Sequence, residues 1–208
     1  MKFELAKYEI KKHQIIDAAF KQIYEQGIES VTMRSIAKAA KVNQALLHYY
    51  FRDKESLLAE FIKVLFNRFI FDIEKRYKDS DPPEKKLEAF FTAGKDFLEK
   101  QKDFFVVMID VWSYCFRNKK LQKEYAILNR RLTGVMRNII IEGKEKGVFN
   151  EVNEETAAIV FVSFVVGAGC LWHMDNRSFN LSDEFDIMTR NLRQLILKND
   201  SNGNKPFL

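Results

Sequence analysis

The stretch from residue 32 to residue 51, TMRSIAKAAKVNQALLHYYF, carries side chains whose types and order suit the reading of a nucleic-acid duplex. Asn43, Gln44 and Ala45 open a short predicted helix. A Gln amide pairs bidentately with adenine in the major groove, and an Ala methyl packs on the thymine methyl. His48, Tyr49 and Lys54 follow one or two turns on, where side-chain donors meet phosphate oxygens. Thr32, Arg34, Lys41 and Tyr50 share the stretch and complete the candidate DNA-binding set. Lys41 stands in the turn, within reach of a phosphate.

Such residues read a groove only if two short helices cross around a tight turn and present the second one. Ile36, Ala40, Val42, Leu47 and Tyr50 supply the apolar crossing, and Ala37 is the small residue five positions before Val42. Thr32 is placed to cap a helix over residues 33–40, and Asn43 to cap one over 44–51. Lys41 occupies the turn position that usually falls to Gly, and a left-handed backbone there costs a side chain on the order of 1 kcal/mol. A plain helical hairpin would show the same apolar pattern.

The elements around this pair are also helical. Ile15, Ile16, Ala19, Phe20 and Ile23 mark one face of a first helix, which Gly27 ends. Asp53 opens a long helix bearing Leu57, Leu58, Phe61, Ile62, Leu65, Phe66, Phe69, Ile70 and Ile73. The sequence KDSDPP at 78–83 is the clearest break, with Pro83 suited to a first helical turn. Four or more helices follow, around residues 87–98, 104–116, 121–146, 153–174 and 182–197. Residues 199–208 read as a disordered tail.

Composition narrows the class. The 208 residues are 47% hydrophobic and 30% charged, which fits a soluble folded protein. Eight Gly and three Pro are too few for an all-β fold. The net charge is +5, and residues 1–54 hold ten Lys/Arg against six Asp/Glu, so +4 of it sits in the first quarter. A basic end on a near-neutral body suits an anionic partner. Cys115 and Cys170 build no disulfide framework and fit a reducing cytoplasm, and residues 1–14 show no signal-peptide pattern. His13, His48 and His173 lack metal spacing, and there is no C-x-x-C, G-x-S-x-G or Gly-rich phosphate loop. No catalytic residue, metal or cofactor is expected.

The first quarter resembles the signature of the tetracycline-repressor (TetR) family of bacterial transcription regulators. The resemblance rests on Ala18-Ala19, Gly27, Val31-Thr32-Met33-Arg34, Ile36-Ala37 and Val42. It rests above all on Leu47-His48-Tyr49-Tyr50-Phe51 followed by Lys54-Glu55-Ser56-Leu57. His48 stands where many members have Tyr. Further on, EGKEKGVF at 142–149 is similar to the family's penultimate loop. The resemblance implies an all-α fold: a three-helix helix-turn-helix domain over 1–54 and a helical ligand-binding and dimerisation domain over 55–198. It implies a homodimer built on the last two helices, a double-stranded operator, and a small-molecule effector that releases it.

Residues 156–174 hold nineteen positions without a charge. That run reaches the lower limit of a membrane span. It equally suits a helix with one face on its own core and one on a partner, and the dimer reading is preferred because no basic cluster flanks the run. Phe161, Val165 and Gly169 here, with Met188, Leu192 and Leu195 on the last helix, are the expected dimer contacts. Sixteen of the 19 Phe lie after residue 54. Most of these aromatics are expected in the core. Given the resemblance, Phe66, Phe105, Met108, Asp110, Trp112, Tyr125, Phe164, Trp172 and His173 are candidates for lining a largely apolar effector pocket. The rival reading is a helical sensor or scaffold without sequence-specific DNA binding.

Overall fold

The computed structural model describes residues 2–198, so the tail expected at 199–208 lies outside the described residues. Those described residues form nine helices: α1 (Lys2–Gln26), α2 (Met33–Ala39), α3 (Gln44–Tyr50), α4 (Lys54–Glu74), α5 (Pro83–Lys100), α6 (Lys102–Arg117), α7 (Lys119–Glu145), α8 (Glu154–Met174) and α9 (Leu181–Ile196). The fold is all-α, as the periodicity predicts. The chain packs as two compact units. The first holds residues up to Leu65 together with Asp103–Leu128, and the second holds Phe66–Lys102 and the residues from Asn129 onward. Packing therefore parts the chain within α4 and α7, whereas the functional division expected at residue 54 falls at the start of α4.

In the first unit, α1 buries Ile15, Ile16, Ala19 and Ile23, a stripe with helical spacing. Gly27, at φ +74°, ends this helix in a left-handed conformation that a side chain resists. Ile36 and Ala37 of α2, Leu47 of α3 and Leu57, Leu58, Phe61 and Ile62 of α4 are buried as well. Lys12 of α1 reaches Glu60 of α4 at 2.7 Å, both partly buried.

In the second unit, α5, α8 and α9 pack together around aromatic rings. Phe161 of α8 lies 5.0 Å from Phe90, 5.3 Å from Phe91 and 6.0 Å from Phe185, centroid to centroid. Gly94 of α5 makes this possible, because a Cβ there would sit 2.6 Å from Phe161 Cζ. Arg76, in the turn after α4, donates to Asp96 of α5 at 2.7 Å and to Asp72 of α4 at 2.8 Å. The loop after α7 is tied to the end of α9. Asn150 N–H donates to Ile196 O at 2.8 Å, and Lys198 N–H donates to Val148 O at 3.1 Å.

Candidate nucleic-acid interface

Helices α2 and α3 are capped as their sequence predicts. Thr32 Oγ1 accepts from Ser35 N–H at 3.1 Å, and Ser35 Oγ accepts from Thr32 N–H at 3.0 Å. Asn43 Oδ1 accepts from Leu46 N–H at 2.7 Å. Between the helices, Val42 N–H donates to Ala37 O at 3.0 Å. Lys41 adopts φ 54°, the left-handed state its position demands. Each cap lies within three residues of its partner, so the turn is specified locally. Ile36, Ala37 and Leu47 then seat the pair on the core.

The outward side chains of this pair are Thr32, Arg34, Lys41, Asn43, Gln44, Ala45, His48 and Tyr49, all exposed. Gln44 and Ala45 stand at the N-terminus of α3, free of the cap that occupies Asn43. His48 Nδ1 lies 3.2 Å from Arg52 O, a hydrogen bond when that nitrogen carries the proton. Tyr49 is 72% exposed. Its ring sits edge-on to Tyr50 at 5.4 Å. Tyr50 is half-buried, and burial first, then neighbouring Tyr8 and Tyr49, push its phenol above the ordinary range. Arg52, which sequence reasoning passed over, is a further exposed cation directly after the motif, its Nε donating to the neighbouring Asp53 carboxylate at 3.0 Å. Its charge was visible, but its place in a turn between helices gave it no periodic signal.

Lys54 departs from expectation. Its ammonium is turned inward, donates to Ile28 O and lies 5.7 Å from the centre of the Tyr114 ring. Burial lowers its pKa, only partly offset by Glu29. A cation so engaged is not presented to a phosphate. Asp110 departs too. Expected at a helix surface or beside a ligand, its carboxylate accepts from Ile28 N–H at 3.1 Å. The Ile28 peptide groups are thus held by side chains of α4 and α6, both within the first unit. Asn118 adds a bond to Glu55 at 2.7 Å.

The remaining candidates for an effector pocket divide between the units. Phe105 and Met108 are fully buried in the first, with Trp112 and Tyr125 half-buried, their rings edge-on at 6.4 Å. Phe66, Phe164, Trp172 and His173 belong to the second. There Trp172 lines an open cavity of about 480 Å³, together with Phe179, Leu181, Glu99 and Arg177. Of the expected pocket residues, Trp172 alone lines it.

The expected dimer residues also separate. Phe161, Val165, Gly169 and Leu192 are buried within the second unit itself, because α8 turns that side toward α5 and α9. Met188 is half-buried, and Leu195 is 62% exposed. The apolar side chains left open on α8 are Ile159, Val160, Leu171 and Met174, and on α9 Ile187 and Leu195. By length and composition α8 could cross a membrane, yet its charge-free run over 156–174 is here shared between a buried and an open face.

Comparison with known proteins divides the chain by sequence rather than by packing unit. Residues 15–61 match the family described as bacterial regulatory proteins, tetR family. Residues 83–197 match the C-terminal region of BetI-type transcriptional repressors. The HTH-type transcriptional regulator BetI of Burkholderia mallei (strain NCTC 10229) is 28% identical over 130 residues, covering 62% of this chain and 67% of that protein. Among solved structures, the regulator FadR from Bacillus subtilis in complex with stearoyl-CoA superposes with a TM-score of 0.73 at 21% identity, covering 86% of this chain and 96% of that one. A transcriptional regulator from Saccharomonospora viridis in complex with choline gives 0.76 at 18% identity, covering 90% and 98%. At these identities the structural likeness speaks for the fold.

Proposed function

The chain belongs to the TetR family of DNA-binding transcriptional regulators, and from that premise we propose that it acts in the cytoplasm as a homodimeric repressor of a palindromic operator, released by a small, largely apolar effector. The observation that carries the reading is α3. Its start is capped by Asn43, Leu47 anchors it in the core, and Gln44 and Ala45 are left exposed at the end that meets base edges. A rigid short helix with free polar and methyl groups at its N-terminus is what direct readout requires.

In this reading Gln44 and Ala45 read bases. Thr32, Arg34, Lys41, His48 and Tyr49 hold phosphates, with Arg52 in place of the inward Lys54. Selection of bound duplexes from a random pool tests it. The wild-type protein should enrich a sequence with two-fold symmetry, its half-sites about one DNA turn, or 34 Å, apart. Gln44→Ala should then relax preference at one base pair of each half-site by about 1–3 kcal/mol. Unaltered preference would remove Gln44 from readout, and enrichment of nothing would favour the scaffold reading.

Two further features support the rest. The open apolar face of α8 and α9 suits a second copy, since an exposed stripe of this kind on a folded chain marks an association surface. That one relative in fold is in complex with stearoyl-CoA and another with choline supports the small-molecule part of this reading. Trp172, which lines the cavity of the second unit with Phe179 and Leu181, is a group an apolar effector would meet. An effector that favours one spacing of the two reading helices must weaken DNA binding, and DNA must weaken effector binding by the same factor. A compound that binds while leaving operator affinity unchanged would not be the effector.

A further inference from the structure

We propose that Tyr8 is a positioning residue for DNA binding: it braces the Tyr49 and Tyr50 rings at the C-terminal end of α3 and so holds the Tyr49 phenol ready for a backbone phosphate. The inference rests on the DNA-binding reading above and extends it to a part of α1 outside the matched residues 15–61.

Three rings form a closed cluster. Tyr8 lies 4.6 Å from Tyr50 at a tilt of 33°, and 6.2 Å from Tyr49 at 78°. Tyr49 and Tyr50 meet edge-on at 5.4 Å. Every pair touches, and the edge-on contacts match the arrangement that aromatic quadrupoles favour. With both neighbours in place Tyr49, next to last in the seven-residue α3, still keeps 72% of its surface open to water, so its hydroxyl stays accessible while its ring edge is held. A phenol free to change rotamer loses that freedom on gripping a phosphate, and one already held by two neighbours loses less. Tyr8 supplies the second neighbour, which α3 alone lacks.

Tyr8 is itself held in place. One turn further along α1, Lys12 bonds Glu60 of α4 at 2.7 Å, and the stripe continues through buried Ile15, Ile16 and Ala19. Residues four apart share a helix face, so the side of α1 that packs on α4 also delivers Tyr8 to α3. The start of α1 thus acts as a strut to the reading helix.

The test uses the full-length protein and the duplex enriched by the wild type. Tyr8→Ala should weaken binding roughly three- to tenfold, the scale of one lost aromatic contact. The salt dependence of binding should stay the same, since no charge is removed. Tyr8→Phe, which keeps the ring, should restore wild-type affinity. In a Tyr49→Ala background the Tyr8→Ala change should have no further effect, because the braced group is gone. Thermal melting of each variant checks that the fold is retained. If Tyr8→Phe binds as poorly as Tyr8→Ala, the hydroxyl itself contacts DNA and the brace is wrong. Equal losses with and without Tyr49 overturn it as well, as does wild-type affinity in Tyr8→Ala. Failure of the wild type to enrich any duplex is a different result, sinking the DNA-binding reading and this proposal with it.

Discussion

Ile28 concentrates the single-residue lessons of this protein. Its N–H is taken by Asp110 and its carbonyl by Lys54, residues 82 and 26 positions away. Gly27 alongside is in the left-handed state that ends α1. A backbone leaving a helix this way has no ladder to satisfy it, so the N–H relies on Asp110, and the carbonyl accepts from Val31 N–H at 3.3 Å as well as from Lys54. Asp110→Ala should therefore destabilise the fold by about 1–3 kcal/mol, because the Ile28 N–H is left without its partner. Asp110→Asn retains an acceptor oxygen and should cost less, and urea denaturation of the two variants measures the difference. Lys54→Met should likewise lower stability while leaving the salt slope of DNA binding unaltered. A phosphate-gripping Lys would reduce that slope by about one unit, the outcome that would restore its expected role.

Helices show what periodicity means once neighbours are present. α8 is apolar on nearly every side, so its sequence does not mark an inner face. Packing does: Phe161 is 1% exposed among the rings of α5 and α9, while Leu171 is 60% exposed. The decisive contact is with Gly94, whose missing side chain leaves room for the Phe161 ring. Phe90, Phe91 and Phe185 surround that ring, so it has little room to retreat. Gly94→Ala should gain helix propensity of about 1 kcal/mol yet lose on the order of 1–3 kcal/mol to overpacking. The expected sum is a lower melting temperature, and an unchanged or raised one would show that the ring can move aside.

At the scale of the molecule, the open stripe on α8 and α9 is the main unanswered surface. Among the described residues Ile159, Val160, Leu171, Met174, Ile187 and Leu195 remain exposed on these two helices, whereas other exposed apolar side chains such as Phe71 and Phe116 lie on other helices. Leu171→Glu should convert the proposed dimer to monomer while the circular dichroism and melting of the single chain stay close to wild type. Sedimentation equilibrium reads the mass directly. With one reading head per particle, affinity for a two-half-site operator should fall steeply, as the second contact is no longer intramolecular. A Leu171→Glu protein that remains dimeric would place the interface elsewhere.

The sequence by itself determined the parts governed by near neighbours. The caps at Thr32 and Asn43, the left-handed turn at Lys41, the end of α1 at Gly27 and the all-helical class each depend on residues within a few positions. The signature from Ala18 to Leu57 was readable for the same reason. Tertiary structure decided which way long side chains point. Lys54 looked like a surface cation, and Asp110 like a surface carboxylate or a ligand anchor, whereas in the structure the distant Ile28 peptide groups engage both. Phe161 looked like a partner-facing residue until Gly94 opened a place for it. Tyr8 carried no signal at all, since its meaning lies in two rings more than forty residues away. Local hydrogen bonds are set by spacing along the chain, whereas burial is settled only when separate helices compete for the same space.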